Sequence, residues 1–171
     1  MDGIRRGFVL SQQSIDELLD IVDSEVFTSS DAKIYKRYDN DSSWRVTERV
    51  DINYTIFPDV CEEIENWVGD GTKVRQLDLL IYNVGSRFRE HTDNGGQAKQ
   101  RIHSTSTLLE ISDDLVGGDL VLYEDGELNG ATNVELKVGE TVLFDSLNQW
   151  HEVTEVTQGK RICLVAWLKN S

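Results

Sequence analysis

At 171 residues the chain suffices for one domain with a real core and is short for two. Its 39% hydrophobic and 28% charged residues are those of a globular protein in water, and no apolar run approaches the roughly 20 residues of a membrane span. A net charge of −14 disfavours tight, nonspecific binding to a phosphate backbone, and the opening MDGIRRGFVLSQQ lacks the apolar block of a signal peptide, so the expected location is the cytoplasm.

Phe8, Val9 and Leu10 read as a short opening strand. Ser11 or Ser14 then caps a helix in which Ile15, Leu18, Leu19 and Val22 recur at helical spacing, opposite Asp16, Glu17, Asp20 and Asp23. Residues 33–38 and 44–54 look extended. Pro58 suits the first turn of a second helix, Val60, Ile64, Trp67 and Val68 make its apolar stripe, and Gly69 ends it. From Lys73 onward the texture is that of strands, at 75–83, 87–93, 104–111, 118–124, 132–137, 141–145, 150–156 and 160–168, with glycines between them. Cys61 and Cys163 read as buried free thiols. The predicted architecture is mainly β with flanking helices. It is a jelly-roll, cupin-like core over 73–169, behind a front of helices and strands over 1–72, in one domain spanning 1–171.

The chemistry concentrates in a few residues. Two of the three histidines, His91 and His151, accompany Asp93. Side chains alternate along a strand, so His91 and Asp93 share a face while Thr92 points away. Two imidazoles and one carboxylate suit three corners of an octahedral iron(II) ion, leaving positions open for a cosubstrate and oxygen. Singly, each has a plainer reading, a polar strand end for the His-x-Asp and a packed histidine beside Trp150 for His151; the set is what is specific. In the last strand Arg161 shares a face with Cys163, Val165 and Trp167, and both faces are apolar. A guanidinium there needs an anionic partner, either a structural acid or a bound dicarboxylate. Tyr82, in an apolar strand, carries a hydroxyl that wants a partner and could serve the same anion.

These residues resemble the 2-oxoglutarate/iron(II) dioxygenases, in particular the prolyl 4-hydroxylase-like group and its PKHD-type hydroxylases. YNVGSRFREHTDN is similar to that group's first signature through Tyr82, Gly85, Phe88, His91 and Asp93. HEVTEVTQGKRICLVAW is similar to its second through His151, Val156, Gly159, Arg161 and Trp167, and Arg101, Thr107 and Gly117-Gly118-Asp119-Leu120 resemble its middle strands. Phe88 replaces a tyrosine common among relatives, and Glu155 a proline. The resemblance implies a double-stranded β-helix core and iron(II) held by His91, Asp93 and His151. It also implies 2-oxoglutarate held at its far carboxylate by Arg161 with Tyr82 and Thr107, and oxygen as co-reactant, with ascorbate as an auxiliary reductant. The implied reaction hydroxylates a C–H bond of a prolyl or other amino-acid side chain, in a small-molecule or peptidyl substrate, and yields succinate and CO2. Arg101 and Trp150 are candidate substrate contacts, with His103 near the mouth, Trp44 and Arg45 at the rim, and residues 94–100 as a covering loop. The rival reading is a catalytically silent jelly-roll module that keeps a metal. No membrane partner is expected, and the oligomeric state stays open.

Overall fold

The computed structural model of the chain describes residues 3–24, 34–94 and 100–171. In chain order the elements are β1 (Arg5–Phe8), α1 (Gln12–Asp23), β2 (Ile34–Asp41), β3 (Arg45–Ile52), a 3-10 turn (Tyr54–Ile56), α2 (Pro58–Val68) and β4 (Lys73–Tyr82). There follow β5 (Arg87–His91), β6 (His103–Ile111), β7 (Leu120–Leu122), β8 (Thr132–Asn133), β9 (Glu140–Asp145), β10 (His151–Val153) and β11 (Arg161–Lys169).

Both helices begin and end where local chemistry dictates. Ser11 caps α1 by accepting from the Ser14 amide, and Gly69 closes α2 in the left-handed conformation that glycine adopts without steric cost. The opening strand lies earlier than its apolar residues suggest, at Arg5–Phe8, because Arg5 to Phe8 pair with Leu143 to Glu140 of β9. The segments expected to be strands at 87–93, 118–124, 132–137 and 150–156 are shorter, ending at His91, Leu122, Asn133 and Val153.

All pairings are antiparallel, in the order β1-β9-β6-β11-β4-β3-β5-β10-β7-β8, with β2 added to β3. The mostly β chain forms one curled antiparallel sheet. β3 makes the bend, since Glu48–Ile52 pair with β4 while Arg45 and Val46 pair with β5.

The central strands β4 and β11 separate two apolar clusters because their side chains alternate. Leu77, Leu79, Ile81, Ile162, Leu164, Ala166 and Leu168 pack toward Leu18 of α1 and Ile64 of α2. Leu80, Tyr82, Cys163, Val165 and Trp167 face the other way and meet Phe144, Leu120, Leu122 and Val153 inside the curl. The expectation that β11 is apolar on both faces holds, and its inner face carries the site. Both cysteines are free and buried.

Candidate metal centre and its two pockets

His91 and His151 lie sixty residues apart, yet they are directly opposed partners across β5 and β10. Antiparallel pairing alone therefore brings the two imidazoles together, with ring centroids 4.2 Å apart. Asp93 lies two residues past the end of β5, in a turn, and still returns to the same point. Its Oδ1 is 3.4 Å from His91 Nε2 and 3.6 Å from His151 Nε2. The ligand atoms of the three residues all fall within 4.8 Å of one another, and all three residues are buried.

The orientation of the rings is enforced. His91 Nδ1 is 2.6 Å from the Arg89 carbonyl and His151 Nδ1 is 3.0 Å from the Gln149 carbonyl. A carbonyl can only accept, so each Nδ1 carries a proton and each Nε2 is turned toward Asp93. His91 Nε2 has no hydrogen-bond partner although buried. Burial pushes His151 down to about 4, against the attraction of Asp93, so its imidazole is neutral at pH 7. Burial alone would raise Asp93, but His151, His91 and a 2.6 Å hydrogen bond from Ser104 Oγ hold it well below the ordinary carboxylate range. A buried carboxylate and two imidazoles converging on one point form a donor set suited to a divalent cation. The rings rest on Phe88, stacked on His91 at 3.6 Å, and on Phe144, 4.7 Å from His151.

Behind the triad lies a narrow inner pocket. Arg161 and Tyr82, both lining it, are cross-strand partners on β11 and β4. Arg161 is 5% exposed, and its one hydrogen-bond contact among the described residues is Cys163 Sγ at 3.8 Å. The Tyr82 hydroxyl is buried without a hydrogen-bond partner among the described residues, and burial raises its pKa. Arg161 thus has no ion-pair partner among the described residues, the condition that an anionic ligand would relieve. Gly118 makes room for the arginine stem: a Cβ there would meet Val156 Cγ2 at 2.9 Å and Arg161 Cδ at 3.6 Å. Free space in this pocket is about 30 Å³. A five-carbon dicarboxylate would fit only if the lining side chains gave way.

In front of the triad opens a cleft of about 540 Å³, walled by Trp44, Trp150, Trp167 and Phe88, with Arg45 and Arg101 among its polar lining. Trp44 is half exposed and sits edge-on to Phe88 and His91, so it belongs to the rim. Arg101 and Trp150 line the cleft as the sequence suggested. His103 does not: it faces Asp70 at 2.5 Å, away from the mouth. Thr107 turns its hydroxyl to Thr141 at 2.7 Å and does not line the inner pocket, whereas Ser106 does. Ser104, Gln76 and Arg49 were not singled out in the sequence, since a buried Ser-Thr-Ser-Thr run and a Gln in a strand carry no spacing signal. Within the expected covering loop, residues 95–99 lie outside the described residues.

The comparisons with known proteins agree with this geometry. The sequence model of the 2OG-Fe(II) oxygenase superfamily matches residues 77–169. A PKHD-type hydroxylase of Rhizorhabdus wittichii is 34% identical over 97 residues, covering 53% of this chain and 41% of that protein. One from Parvibaculum lavamentivorans is 32% identical over 93 residues, covering 54% and 41%. The chain thus spans about two fifths of the length of these curated relatives. Among solved structures, a Pseudomonas putida prolyl-4-hydroxylase superposes with a TM-score of 0.69 at 19% identity, covering 99% of this chain and 93% of that one. A Trichoplax adhaerens prolyl hydroxylase, solved with a hypoxia inducible factor peptide fragment, gives 0.72 at 15% identity, covering 99% and 84%. The matched segment runs from β4 to β11 and carries all three converging ligand candidates together with the inner-pocket arginine, and by that match the chain belongs to the 2OG-Fe(II) oxygenase superfamily.

Proposed function

We propose that residues 1–171 form one Fe(II)- and 2-oxoglutarate-dependent dioxygenase domain that hydroxylates a C–H bond of a prolyl or other amino-acid side chain. Its curled sheet is read as a double-stranded β-helix braced by α1 and α2. The observation that carries the proposal is the pairing of an inward-facing His91–Asp93–His151 set with the buried Arg161, which lacks an ion-pair partner among the described residues, inside the same curl. Names of the relatives support the amino-acid substrate class. The two buried free thiols suit the reducing cytoplasm.

In this reading His91, Asp93 and His151 hold the iron, and Ser104 keeps the Asp93 carboxylate turned toward it through the bond to Oδ2. Bound iron with 2-oxoglutarate would supply the oxygen activation that replaces C–H by C–OH, with succinate and CO2 as co-products. Arg161 receives the far carboxylate of 2-oxoglutarate, and the Tyr82 hydroxyl donates to the same group. Phe88, Phe144 and Trp167 exclude water from the region between the pockets. The front cleft admits the substrate.

The test is anaerobic addition of Fe(II) and 2-oxoglutarate, followed by air. The expected result is a visible charge-transfer band and then succinate release, both absent in His91→Ala. The narrowness of the inner pocket favours a second reading, a catalytically silent metal-binding module. Metal binding with neither band nor succinate would establish that one instead.

A further inference from the structure

Three arginines border the front cleft, and they are not equivalent. Arg49 is spoken for: its Nε lies 2.7 Å from Asp51 Oδ1 and 3.1 Å from Asp78 Oδ2. Arg45 approaches Asp39 at 3.4 Å, but its Nε and Nη2 are buried without hydrogen-bond partners, and it lines both pockets. Arg101 has no carboxylate within ion-pair distance among the described residues; its partners are the Asp93 carbonyl at 3.0 Å and the Gln76 amide oxygen at 2.5 Å.

Arg101 is nonetheless held firmly. Its guanidinium lies 3.9 Å from the centre of a Trp167 ring, which fixes its plane. Gln76, opposite Trp167 in the β4–β11 register, is itself tied by its amide to Asp78 at 3.3 Å. Two neutral acceptors use two of the five N–H donors, and the Asp93 and Asp78 carboxylates act on the charge only from beyond ion-pair distance. A planar, preorganised guanidinium in an aromatic-walled cleft is a carboxylate receptor.

We propose that the substrate carries a free carboxylate, received by Arg101 with the unbonded Nη2 of Arg45, next to the carbon that is oxidised. This rests on the oxygenase reading above. The proximity follows from the hydrogen bond between Arg101 and the backbone of Asp93, which puts the receptor one residue's width from the metal site. A free amino acid or the C-terminal residue of a peptide meets that requirement. Inside a peptide only an acidic side chain meets it, since the backbone carboxyl there is an amide.

Three of the four tryptophans line the cleft, so their fluorescence reports occupancy. Wild-type protein loaded anaerobically with Fe(II) and 2-oxoglutarate is titrated with L-proline, L-leucine and L-isoleucine, each as free acid, N-acetyl acid and N-acetyl carboxamide. At least one acid is expected to bind ten- to a hundredfold more tightly than its carboxamide, on the order of one charge-assisted hydrogen-bonded pair. Arg101→Gln should lose that preference and Arg101→Lys should keep part of it. Preference for the free over the N-acetyl acid indicates an amino acid, and the reverse a peptide C-terminus. Equal binding of acids and carboxamides, or no emission change with any acid at about 10 mM, overturns the proposal. The charge-transfer band is read in the same cuvette. Its absence alongside acid-selective binding sinks the oxygenase reading and leaves the receptor, and its presence without acid selectivity does the converse.

Discussion

Replacing Arg161 by methionine should stabilise the ligand-free protein while destroying its response to 2-oxoglutarate. Arg161 is 5% exposed, faces the ring of Tyr82 at 5.5 Å from its centroid, and has one weak contact among the described residues at Cys163 Sγ. Exchanging a buried ionic group for an apolar one of similar volume is worth about 1–4 kcal/mol of stability. Because Arg161 lines a pocket and keeps some solvent, the lower part of that range, about 1–2 kcal/mol, applies. At about 2.1 cal/mol/K per residue, unfolding 171 residues carries an entropy of about 0.36 kcal/mol/K, so Tm should rise by about 3–6 °C. In the wild type, 2-oxoglutarate at a hundred times its dissociation constant adds about 2.7 kcal/mol, or about 7 °C. The assay is thermal unfolding with Mn(II), with and without 2-oxoglutarate. An Arg161→Met protein that melts below wild type without ligand, and still gains the full increment with it, would refute the account of Arg161 as an unpaired charge awaiting an anion.

Other consequences can be measured separately. Ser104→Ala removes the 2.6 Å bond that orients Asp93 and should weaken metal binding about 10–100-fold by calorimetry while the fold persists; unchanged affinity would show that the turn after β5 suffices to aim the carboxylate. Gly117 has φ +79° and a Cβ there would meet the Glu155 carbonyl oxygen at 2.0 Å, so Gly117→Ala should cost about 3 kcal/mol in denaturant unfolding. The pH dependence follows from His151, lowered by burial to about 4: between pH 6.5 and 4 the unfolded chain binds more protons there than the folded one. Its contribution, about 3 kcal/mol, is thus complete above pH 6.5 and lost as pH falls through about 4. Asp78, raised by burial to about 7 despite Arg49, acts with the opposite sign from pH 3.8 to 7, so the His151 effect is read as the difference in urea stability between wild type and His151→Gln across that window, which should shrink toward acid.

How far the sequence discloses the site depends on strand parity. Where a strand is regular, counting by twos works: Arg161, Cys163, Val165 and Trp167 all fall on the inner face, and Tyr82 stands opposite Arg161. The family resemblance also expects Thr107 on that face, and counting by twos would agree. From the pair Arg161–Ile111, steps of two would set Thr107 against Val165, on the inner face. A bulge after Ile162 moves the register, so Cys163 meets Leu108 and Val165 meets Ser106. That extra residue turns Thr107 outward to Thr141 and delivers Ser106 to the inner pocket and Ser104 to Asp93. His103, opposite Leu168, goes outward by the same parity and finds Asp70. Off-strand residues obey no parity at all. Asp93 and Trp150 flank strands that end earlier than expected, and Arg101 lies between elements, so their positions follow from turns and from bonds such as Arg101 to the Asp93 carbonyl. The metal set was recoverable because its chemistry is rare in a chain with three histidines, whereas Ser104, which aims its carboxylate, is an ordinary serine whose role exists only once a bulge has chosen its face.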